Sequence, residues 1–440
     1  MSIEVDGADS FNVENEFGAN GFGLIISNCK IQDDPSLLDF PSEILLKIIS
    51  FLDANGIKSM ISVNKALSEY ISENKIWKSI CKNKWNSSPV FKKKRMVSSW
   101  KEYYNKKLSL TKNQNGLCWI EISPGGDKPS PRYQSSSDVI GKYIYFIGGQ
   151  EKSTKRFDDI YRFDTDTYRF EKIKVGNCQP PKFSRHASAV VGNKIFMHGG
   201  YDGLKLHFDL CVFDSVTNYW YYPMSKGDVP RSRTNHAAAS IDEFFYIFGG
   251  IYSNTSSGHD LVFLNDLYRL DTHTMTWKHV QAKGDIPIAR CGHKLFEFYD
   301  KLLLFGGGSG PSWENKFNDI YIYDPKTNYW KKAQTKGDIP VSTFTVSYKV
   351  GNFLLVFGGQ SMEDSTLTND LYMLDTFNME WTKIESDSPP IPRDMACGSV
   401  IDNTLYLFGG YLGVPTDSLC ALDLSKRFTD NDIVSINPIN

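Results

Sequence analysis

Three histidines stand at one repeated position of the chain, and imidazole is the side chain most often used for proton transfer and metal binding. They are His186, His236 and His293. A metal or catalytic site would also need clustered thiolates or carboxylates. No carboxylate motif accompanies the histidines, and the eight cysteines are scattered without a CxxC pair. We therefore expect the histidines to line a core, and we expect no metal, no cofactor and no disulfide framework.

Arginines recur three residues before this position in four of the repeats described below. They are Arg132, Arg233, Arg290 and Arg393. A guanidinium binds a carboxylate or phosphate through two parallel hydrogen bonds, so these residues are candidates for binding a protein substrate. The alternative is structural, because each arginine could instead brace the start of a strand by bonding neighbouring carbonyl groups.

The elements that must position these residues are repeats. Glycine pairs begin at positions 148, 199, 249, 306, 358 and 409, and each pair closes a short apolar run such as KYIYFIGG. A second strand-like segment ending in Asp follows, as in DIYRFD, and five repeats carry an aromatic six residues after that Asp. These aromatics are Phe170, Trp220, Trp277, Trp330 and Trp381. Since one repeat cannot bury both faces of its sheet, the pattern predicts six sheets stacked in a ring.

From residue 119 onward this pattern resembles the kelch repeat. The resemblance implies an all-β, six-bladed kelch β-propeller over residues 113–440, with four strands, a to d, in each blade. Between strands, the a–b and c–d turns are short, whereas the b–c loops vary from 7 residues (411–417) to 15 (251–265) and the d–a links carry motifs such as KGDIP.

The b–c and d–a connections lie at the same end of a four-stranded meander, and binding surfaces concentrate on variable loops held by a rigid scaffold. This face is therefore predicted to bind a protein substrate. Besides the four arginines, the residues predicted to contact it are Arg156, Phe157, Tyr201, Trp313 and Tyr411.

The sixth repeat lacks the aromatic of the other five, because Thr429 stands six residues past Asp423. An unpartnered strand pattern, WIEI at 119–122, precedes the first repeat. We predict that residues 118–123 join 395–424, so that the N-terminal strand closes the last blade and removes an exposed seam. The alternative is that residues 433–436 supply this strand.

Composition limits the classes of function. Lys+Arg 49 against Asp+Glu 51 gives a net charge of −2, which argues against non-specific nucleic-acid binding. No apolar run is long enough to cross a membrane, and residues 1–18 lack the basic start and apolar core of a secretory signal. We expect no membrane partner, reduced thiols, and a cytoplasmic and/or nuclear location.

Charge also divides the region that precedes the repeats. Residues 1–36 hold seven acids and one base, and we predict a disordered acidic tail. Residues 82–112 hold ten bases and one acid, and we predict a basic linker helix. Its run at 92–95 fits a solvated surface or a nuclear-import patch.

Residues 37–81 are predicted to form a small all-α domain. The run LLDFPSEILLKIISFL places apolar residues at helical spacing, and Asn55-Gly56 ends the first helix. A segment this short barely encloses a core, so part of its apolar surface is expected to bind a partner. The alternative is a bundle whose apolar residues all face inward.

This segment closely resembles an F-box, through Phe40-Pro41, the EILxxIxxxL helix and a later Trp. It departs from the family at Phe40, where Leu is usual, and at 64–67, where Cys, Lys/Arg and Trp are usual. The resemblance implies docking to the adaptor subunit of a cullin–RING ubiquitin ligase. The residues it assigns to adaptor binding are Phe40, Pro41, Ile44, Leu45, Ile48, Leu52, Ile57, Val63 and Trp77.

Together these resemblances imply the substrate-recognition subunit of an SCF-type ubiquitin ligase, acting in ubiquitin-dependent protein degradation by proximity and not as an enzyme. One alternative is a kelch scaffold for cytoskeletal, trafficking or GTPase partners outside a ligase. An enzyme on a propeller is disfavoured, because a kelch-type copper oxidase would be secreted. An iron-associated specifier protein would in turn carry a Glu-xxx-Asp-xxx-His string, which the sequence lacks.

Overall fold

A computed structural model of the chain describes Trp77 and residues 117–176, 180, 182–207, 209–253, 261–310, 313–340, 342–401 and 403–424. Trp77 is helical and buried. The acidic tail, the basic linker helix, the other residues of the F-box-like segment and the domain boundaries at 36, 81 and 112 lie outside the described residues. Within the described part, no helix combines the length and the apolar character that a membrane span requires.

In the described part of the chain, six sheets of four or five strands are the blades of a propeller, and two further two-stranded sheets lie in the loops. The chain's first strand is β1 (Trp119–Ile122). Blade 1 and its loop hairpin comprise β2 (Gly125–Gly126), β3 (Ser136–Ile140), β4 (Tyr143–Ile147), β5 (Gln150–Lys152), β6 (Lys155–Arg156), β7 (Ile160–Asp164) and β8 (Arg169–Lys172). Blade 2 comprises β9 (Ala187–Val191), β10 (Lys194–His198), β11 (Leu210–Asp214) and β12 (Tyr219–Tyr221). Blade 3 comprises β13 (Lys226–Gly227), β14 (Ala237–Ile241), β15 (Phe244–Ser253), β16 (Leu261–Asp271) and β17 (Thr276–Val280).

The remaining blades repeat the same order. Blade 4 comprises β18 (Lys283–Gly284), β19 (Lys294–Phe298), β20 (Lys301–Ser309), β21 (Asn315–Asp324) and β22 (Tyr329–Ala333). Blade 5 and its loop pair comprise β23 (Lys336–Gly337), β24 (Ser342–Thr343), β25 (Val346–Val350), β26 (Phe353–Phe357), β27 (Gln360–Ser361), β28 (Leu371–Asp375) and β29 (Glu380–Ile384). Blade 6 comprises β30 (Cys397–Ile401), β31 (Thr404–Phe408) and β32 (Leu419–Asp423), together with β1.

The core lies between neighbouring blades, which explains the apolar runs before the glycine pairs. All five residues of β26 are buried, because adjacent sheets cover both faces of the blade. Aromatic contacts join successive blades: the Phe305 and Trp381 rings lie 5.2 Å apart, and the Phe146 and Phe408 rings lie 4.9 Å apart. The second contact joins blade 1 to blade 6, so the sheets form the predicted closed ring.

The N-terminal strand closes the last blade, as predicted. Strand β1 pairs antiparallel with β32, with Trp119 opposite Leu422 and Ile122 opposite Leu419. Trp119 is buried. The alternative strand at residues 433–436 lies outside the described residues.

The d–a links have a role that the sequence analysis missed. Strands β2, β13, β18 and β23 each run parallel to the outer strand of the blade that follows. In each case the Asp after this short strand accepts a hydrogen bond from a main-chain N–H of the outer strand, as Asp338 does from Lys383. The KGD motif, which is GGD before blade 1, therefore covers four sheet edges that would otherwise expose unpaired backbone groups.

Candidate functional site

The four repeat arginines are structural braces. All are buried, with at most 2% of their surface exposed. In each, Nη1 donates to the carbonyl oxygen of the glycine sixteen residues later, over 2.9 to 3.0 Å. In Arg132 the guanidinium also forms two hydrogen bonds with Asp159, at 2.6 and 3.2 Å. Arg233 and Arg290 repeat this arrangement with Asp266 and Asp319.

The prediction that Arg132, Arg233, Arg290 and Arg393 contact a substrate is therefore wrong, and the bracing alternative is confirmed. Their donors are committed to carbonyl and carboxylate groups beneath the loops. The main chain of these residues joins neighbouring blades as well, since Gly410 N–H donates to the Arg132 carbonyl over 2.9 Å.

Arg393 departs from this pattern in blade 6. No carboxylate of the described residues forms an ion pair with it, and its side-chain partner is the Ser418 hydroxyl, at 2.7 Å. Burial lowers the pKa of Arg393.

The loop residues predicted to contact a substrate lie in different surroundings. Phe157 is buried beneath its loop, with the Arg132 Cζ atom 4.0 Å from its ring centroid, so its side chain is not exposed for the predicted substrate contact. Arg156 stacks on Tyr201, with Cζ 4.7 Å from the ring centroid. Tyr411 is 36% exposed and packs against another loop tyrosine. Trp313 lines the central cavity described next.

Six residues at one repeat position, two past each arginine position, form a ring around the mouth of the central channel. All have left-handed backbone, with φ between 51° and 65°. This mouth ring comprises Gln134, Arg185, Asn235, Gly292, Phe344 and Met395. In five of the six, the N–H donates to the carbonyl of the equivalent residue in the preceding blade, over 2.8 to 3.4 Å. Left-handed backbone in non-glycine residues is costly and concentrates at functional sites.

The mouth ring lines a cavity of about 780 Å³, together with Trp313 and Met362. The cavity has two different sides. Blades 1 to 3 contribute the polar groups of Gln134, Arg185 and Asn235. Blades 4 to 6 contribute the apolar groups of the cavity together with polar ones, namely Lys294, Glu314, Lys316, Gln360 and Ser365. Trp313 and Phe344 are in edge contact, with ring centroids 5.3 Å apart. An amphipathic cavity of this size suits a protein segment with an apolar side chain beside a polar or acidic group.

The mouth carries charges of both signs, because Arg185, Lys294, Lys316 and Glu314 all line the cavity. The Arg185 Nε donates to Gln134 Oε1 over 2.9 Å, and no carboxylate among the described residues forms an ion pair with this guanidinium. Burial lowers the pKa of Arg185. Lys316, by contrast, donates to Ser361 O and Ser365 Oγ, at 2.9 and 2.8 Å. Arg185 therefore has two Nη groups available for an incoming carboxylate or phosphate.

The repeat histidines lie at the neck of the channel, between the mouth cavity and a lower cavity of about 370 Å³. Burial lowers the pKa of His186 and of His293 to about 3, so both are neutral at pH 7. The rings pack on the glycine pair of the preceding blade, where a Cβ on Gly199 would meet His236 Cε1 at 2.8 Å. Among the described residues, no group of three or more His, Cys, Asp or Glu is placed to hold a metal ion.

Sequence reasoning missed the mouth ring, although a signal was present. The position two residues before it is Arg in four repeats, and the position after it carries a small residue or His, whereas this position carries Gln, Arg, Asn, Gly, Phe and Met in the six repeats. A variable position between two recurring ones indicates a surface under different constraints from the scaffold.

Comparison with known proteins agrees with this architecture. The profile of the KLHDC2/KLHL20/DRC7 Kelch-repeats domain matches residues 100–307 and 297–437. The chain belongs to the kelch-repeat family. Kelch propellers are typically non-enzymatic scaffolds for protein–protein interaction, which is the function this assignment supports for the propeller.

Relatives of this kelch chain match it over different shares of their own length. It is 27% identical to Kelch domain-containing protein 3 of Rattus norvegicus over 326 residues, which cover 69% of this chain and 83% of the relative. It is 29% identical to Host cell factor of Drosophila melanogaster, over 70% of this chain and 22% of that protein. It is 31% identical to Tip elongation aberrant protein 1 of Schizosaccharomyces pombe, over 67% of this chain and 26% of that protein.

Proposed function

We propose that this kelch protein is the substrate-recognition subunit of an SCF-type ubiquitin ligase. Residues 37–81 bind the ligase adaptor, and the propeller binds the protein to be ubiquitinated. The observation that carries the proposal is the presence of an F-box-like pattern and a kelch propeller in one chain. The first supplies a docking segment for the ligase and the second supplies a binding scaffold.

The mouth cavity supports the substrate-binding half of the proposal. Its volume of about 780 Å³ is typical of a site that encloses several side-chain groups of a ligand. Trp and Arg dominate the binding energy of protein interfaces, and here Trp313 and Arg185 line the same cavity. A substrate segment would place an apolar side chain against Trp313 and Phe344, and an acidic or polar group towards Arg185.

The mechanism is one of proximity. A target held at the mouth is brought close to the ubiquitin-transferring subunit of the ligase, so its lysines react at a raised effective concentration. The arginine braces and the ring closure make the propeller a rigid platform, which keeps the bound target in one orientation. No residue of this chain takes part in the transfer chemistry.

The adaptor half is tested with the full-length chain. Leu45→Asp puts a charge on the apolar face of the F-box-like helix, and Lys47→Ala changes the same helix at a polar position. The wild-type chain and Lys47→Ala should capture the adaptor and support ubiquitin transfer to a bound target. Leu45→Asp should lose both activities while keeping target capture. Failure of the wild-type chain to bind the adaptor would remove the ligase role.

A kelch scaffold outside a ligase is the second candidate. The name of the Schizosaccharomyces pombe relative refers to tip elongation, which favours a scaffold in cell organisation. This candidate predicts a chain that captures its partners through the mouth but neither binds the adaptor nor alters partner abundance when removed.

A further inference from the structure

Lys294 departs from the repeat at the first residue of strand a. The equivalent positions in the other blades carry small or apolar side chains, namely Ser136, Ala187, Ala237, Val346 and Cys397. Five blades are stable with these small or apolar side chains, so packing does not require a lysine in the remaining blade. Its presence in blade 4 therefore calls for another explanation.

The Lys294 ammonium has no hydrogen bond or ion pair with any described residue. It lines both the mouth cavity and the lower cavity, so it lies at the neck that joins them. Burial lowers the pKa of Lys294. Another lysine of the lower cavity, Lys349, instead forms an ion pair with Glu297. The side chain is half-buried at the two cavities, and an unpaired ammonium in such a site is stabilised when an anion binds to it.

The neck also offers neutral polar groups. Both ring nitrogens of His186, and the Nδ1 atoms of His236 and His293, are buried without a hydrogen-bond partner among the described residues. Because their pKa values are lowered, these imidazoles are neutral and each carries one N–H. His186 can donate its N–H from either ring nitrogen, whereas His293 donates from Nε2 to the Phe248 carbonyl over 3.1 Å, so its Nδ1 is an acceptor. Arg185 lines the mouth cavity above them and has no carboxylate partner in the part of the chain that the structure describes.

We propose that Lys294 anchors a small oxyanion of the phosphate class in the neck of the channel. The ammonium supplies the compensating charge, the neck imidazoles and Ser135 surround the site with neutral polar groups, and Arg185 at the mouth attracts the anion electrostatically. The phosphate is either free in solution or carried on a side chain of a protein bound at the mouth. Only the second source rests on the proposed function.

The experiment titrates the full-length chain with inorganic phosphate in a calorimeter and in thermal melts. Lys294→Ala installs the residue found in blades 2 and 3, so it should fold, and Lys331→Ala removes an exposed lysine of the same blade as a control. We expect Lys294→Ala to bind phosphate about tenfold more weakly or worse. Phosphate should raise the melting temperature of the wild type and of Lys331→Ala but not of Lys294→Ala.

Without phosphate, Lys294→Ala should melt at or above the wild-type temperature, because an unpaired, half-buried cation has been removed. The source of the phosphate is identified by titrating a phosphoserine peptide and its unphosphorylated form. Tighter binding of the phosphopeptide than of inorganic phosphate assigns the group to a protein ligand, and the reverse order assigns it to the free ion. The site is overturned if neither inorganic phosphate nor the phosphoserine peptide binds, or if Lys294→Ala binds them as tightly as the wild type. Adaptor capture is measured separately, so that failure of the phosphate site is distinguishable from failure of the ligase role.

Discussion

Trp119 lies opposite Leu422 in the last blade, so the aromatic that the sixth repeat lacks comes from the other end of the chain. The register is that of a complete blade, where Trp330 lies opposite Tyr323, one residue before the repeat Asp. The indole is 3% exposed, and its centroid lies 5.1 Å from the Phe357 ring of blade 5. Ring closure therefore depends on side-chain packing as well as on backbone pairing.

Truncation of Trp119 should open this seam. Trp119→Ala is expected to lower the free energy of unfolding by about 3–5 kcal/mol, because a large buried ring is lost. Ile120→Ala changes the next residue of the strand, which is 56% exposed, and should cost less than about 0.5 kcal/mol. Urea denaturation followed by tryptophan fluorescence and circular dichroism measures both. If circular dichroism shows only a small decrease in the unfolding free energy of Trp119→Ala, β1 is dispensable for closure.

The arginine braces predict a loss of stability. Arg290→Ala leaves Asp319 and the Gly306 carbonyl without their partner, and should cost about 3–5 kcal/mol of unfolding free energy. The same variant should lose target capture only in proportion to its unfolded fraction. Loss of target capture with an unchanged urea midpoint would show that Arg290 binds the target.

In blade 6 a carboxylate partner can be added to a brace arginine that lacks one among the described residues. Arg393 bonds the Ser418 hydroxyl where three other blades supply an Asp. Ser418→Asp should therefore stabilise the protein by about 1–2 kcal/mol, because the new carboxylate pairs with a buried guanidinium. Ser418→Asn, which adds similar volume without charge, is the matched control and should bring less stability. A destabilised Ser418→Asp variant in urea titrations would show that this site cannot hold a second charge.

The blade count and the closing strand were predictable because glycine spacing and strand pattern are local properties. The role of the arginines was not. Each arginine and its Asp are separated by 27, 33 or 29 residues, and the variable b–c loop between them hides the pairing. A guanidinium also bonds carbonyls and substrate carboxylates equally well, so residue type alone leaves both roles open.

The mouth ring was unpredictable for a different reason. Its residues share a left-handed backbone that is set by bonds between blades, as when Asn235 N–H donates to Arg185 O over 2.9 Å. Such a conformation is usually signalled by Gly or Asn, but Phe344 and Met395 adopt it as well. Long-range hydrogen bonding overrides the local preference here, so only the variability of this position pointed to it.

The buried histidines predict that acid destabilises the propeller. Burial lowers the pKa of His186, His198 and His293 from 6.5 to about 3. Between these values the unfolded chain binds the proton and the folded chain does not, so stability falls as pH falls through this window. Lowering the pH to 5 should cost up to about 2 kcal/mol per histidine.

Two acids oppose this trend. Burial raises the pKa of Asp138 and Asp394 from 3.8 to about 6, so their contribution grows as pH falls from about 6 towards 3.8. The net loss should therefore be smaller than the histidine sum. His186→Gln should flatten the dependence of the urea midpoint on pH, whereas His273→Gln, at an exposed turn, should leave it unchanged. Equal slopes in both variants would mean that His186 titrates normally in the fold.

The mouth ring predicts loss of binding without loss of stability, the opposite of the braces. Arg185→Gln keeps a hydrogen-bonding group and removes the charge, and Trp313→Ala removes the apolar wall of the cavity. For a protein that binds the full-length chain directly, each should weaken affinity by about 2 kcal/mol or more, roughly thirtyfold. Lys326→Ala, on an exposed turn at the opposite end of the blade, should leave affinity unchanged.

These variants distinguish residues that bind a ligand from residues that brace the scaffold, on the face that bears the variable loops. Affinity, measured by calorimetry, and the urea midpoint should move independently for Arg185→Gln and together for Arg290→Ala. The reason is that the two Nη groups of Arg185 have no hydrogen-bond partner among the described residues, whereas the Arg290 donors are committed to blade 4. If Arg185→Gln and Trp313→Ala bind the protein ligand as tightly as the wild type, the ligand does not enter the mouth and the outer loops around Tyr201 and Tyr411 become the binding surface.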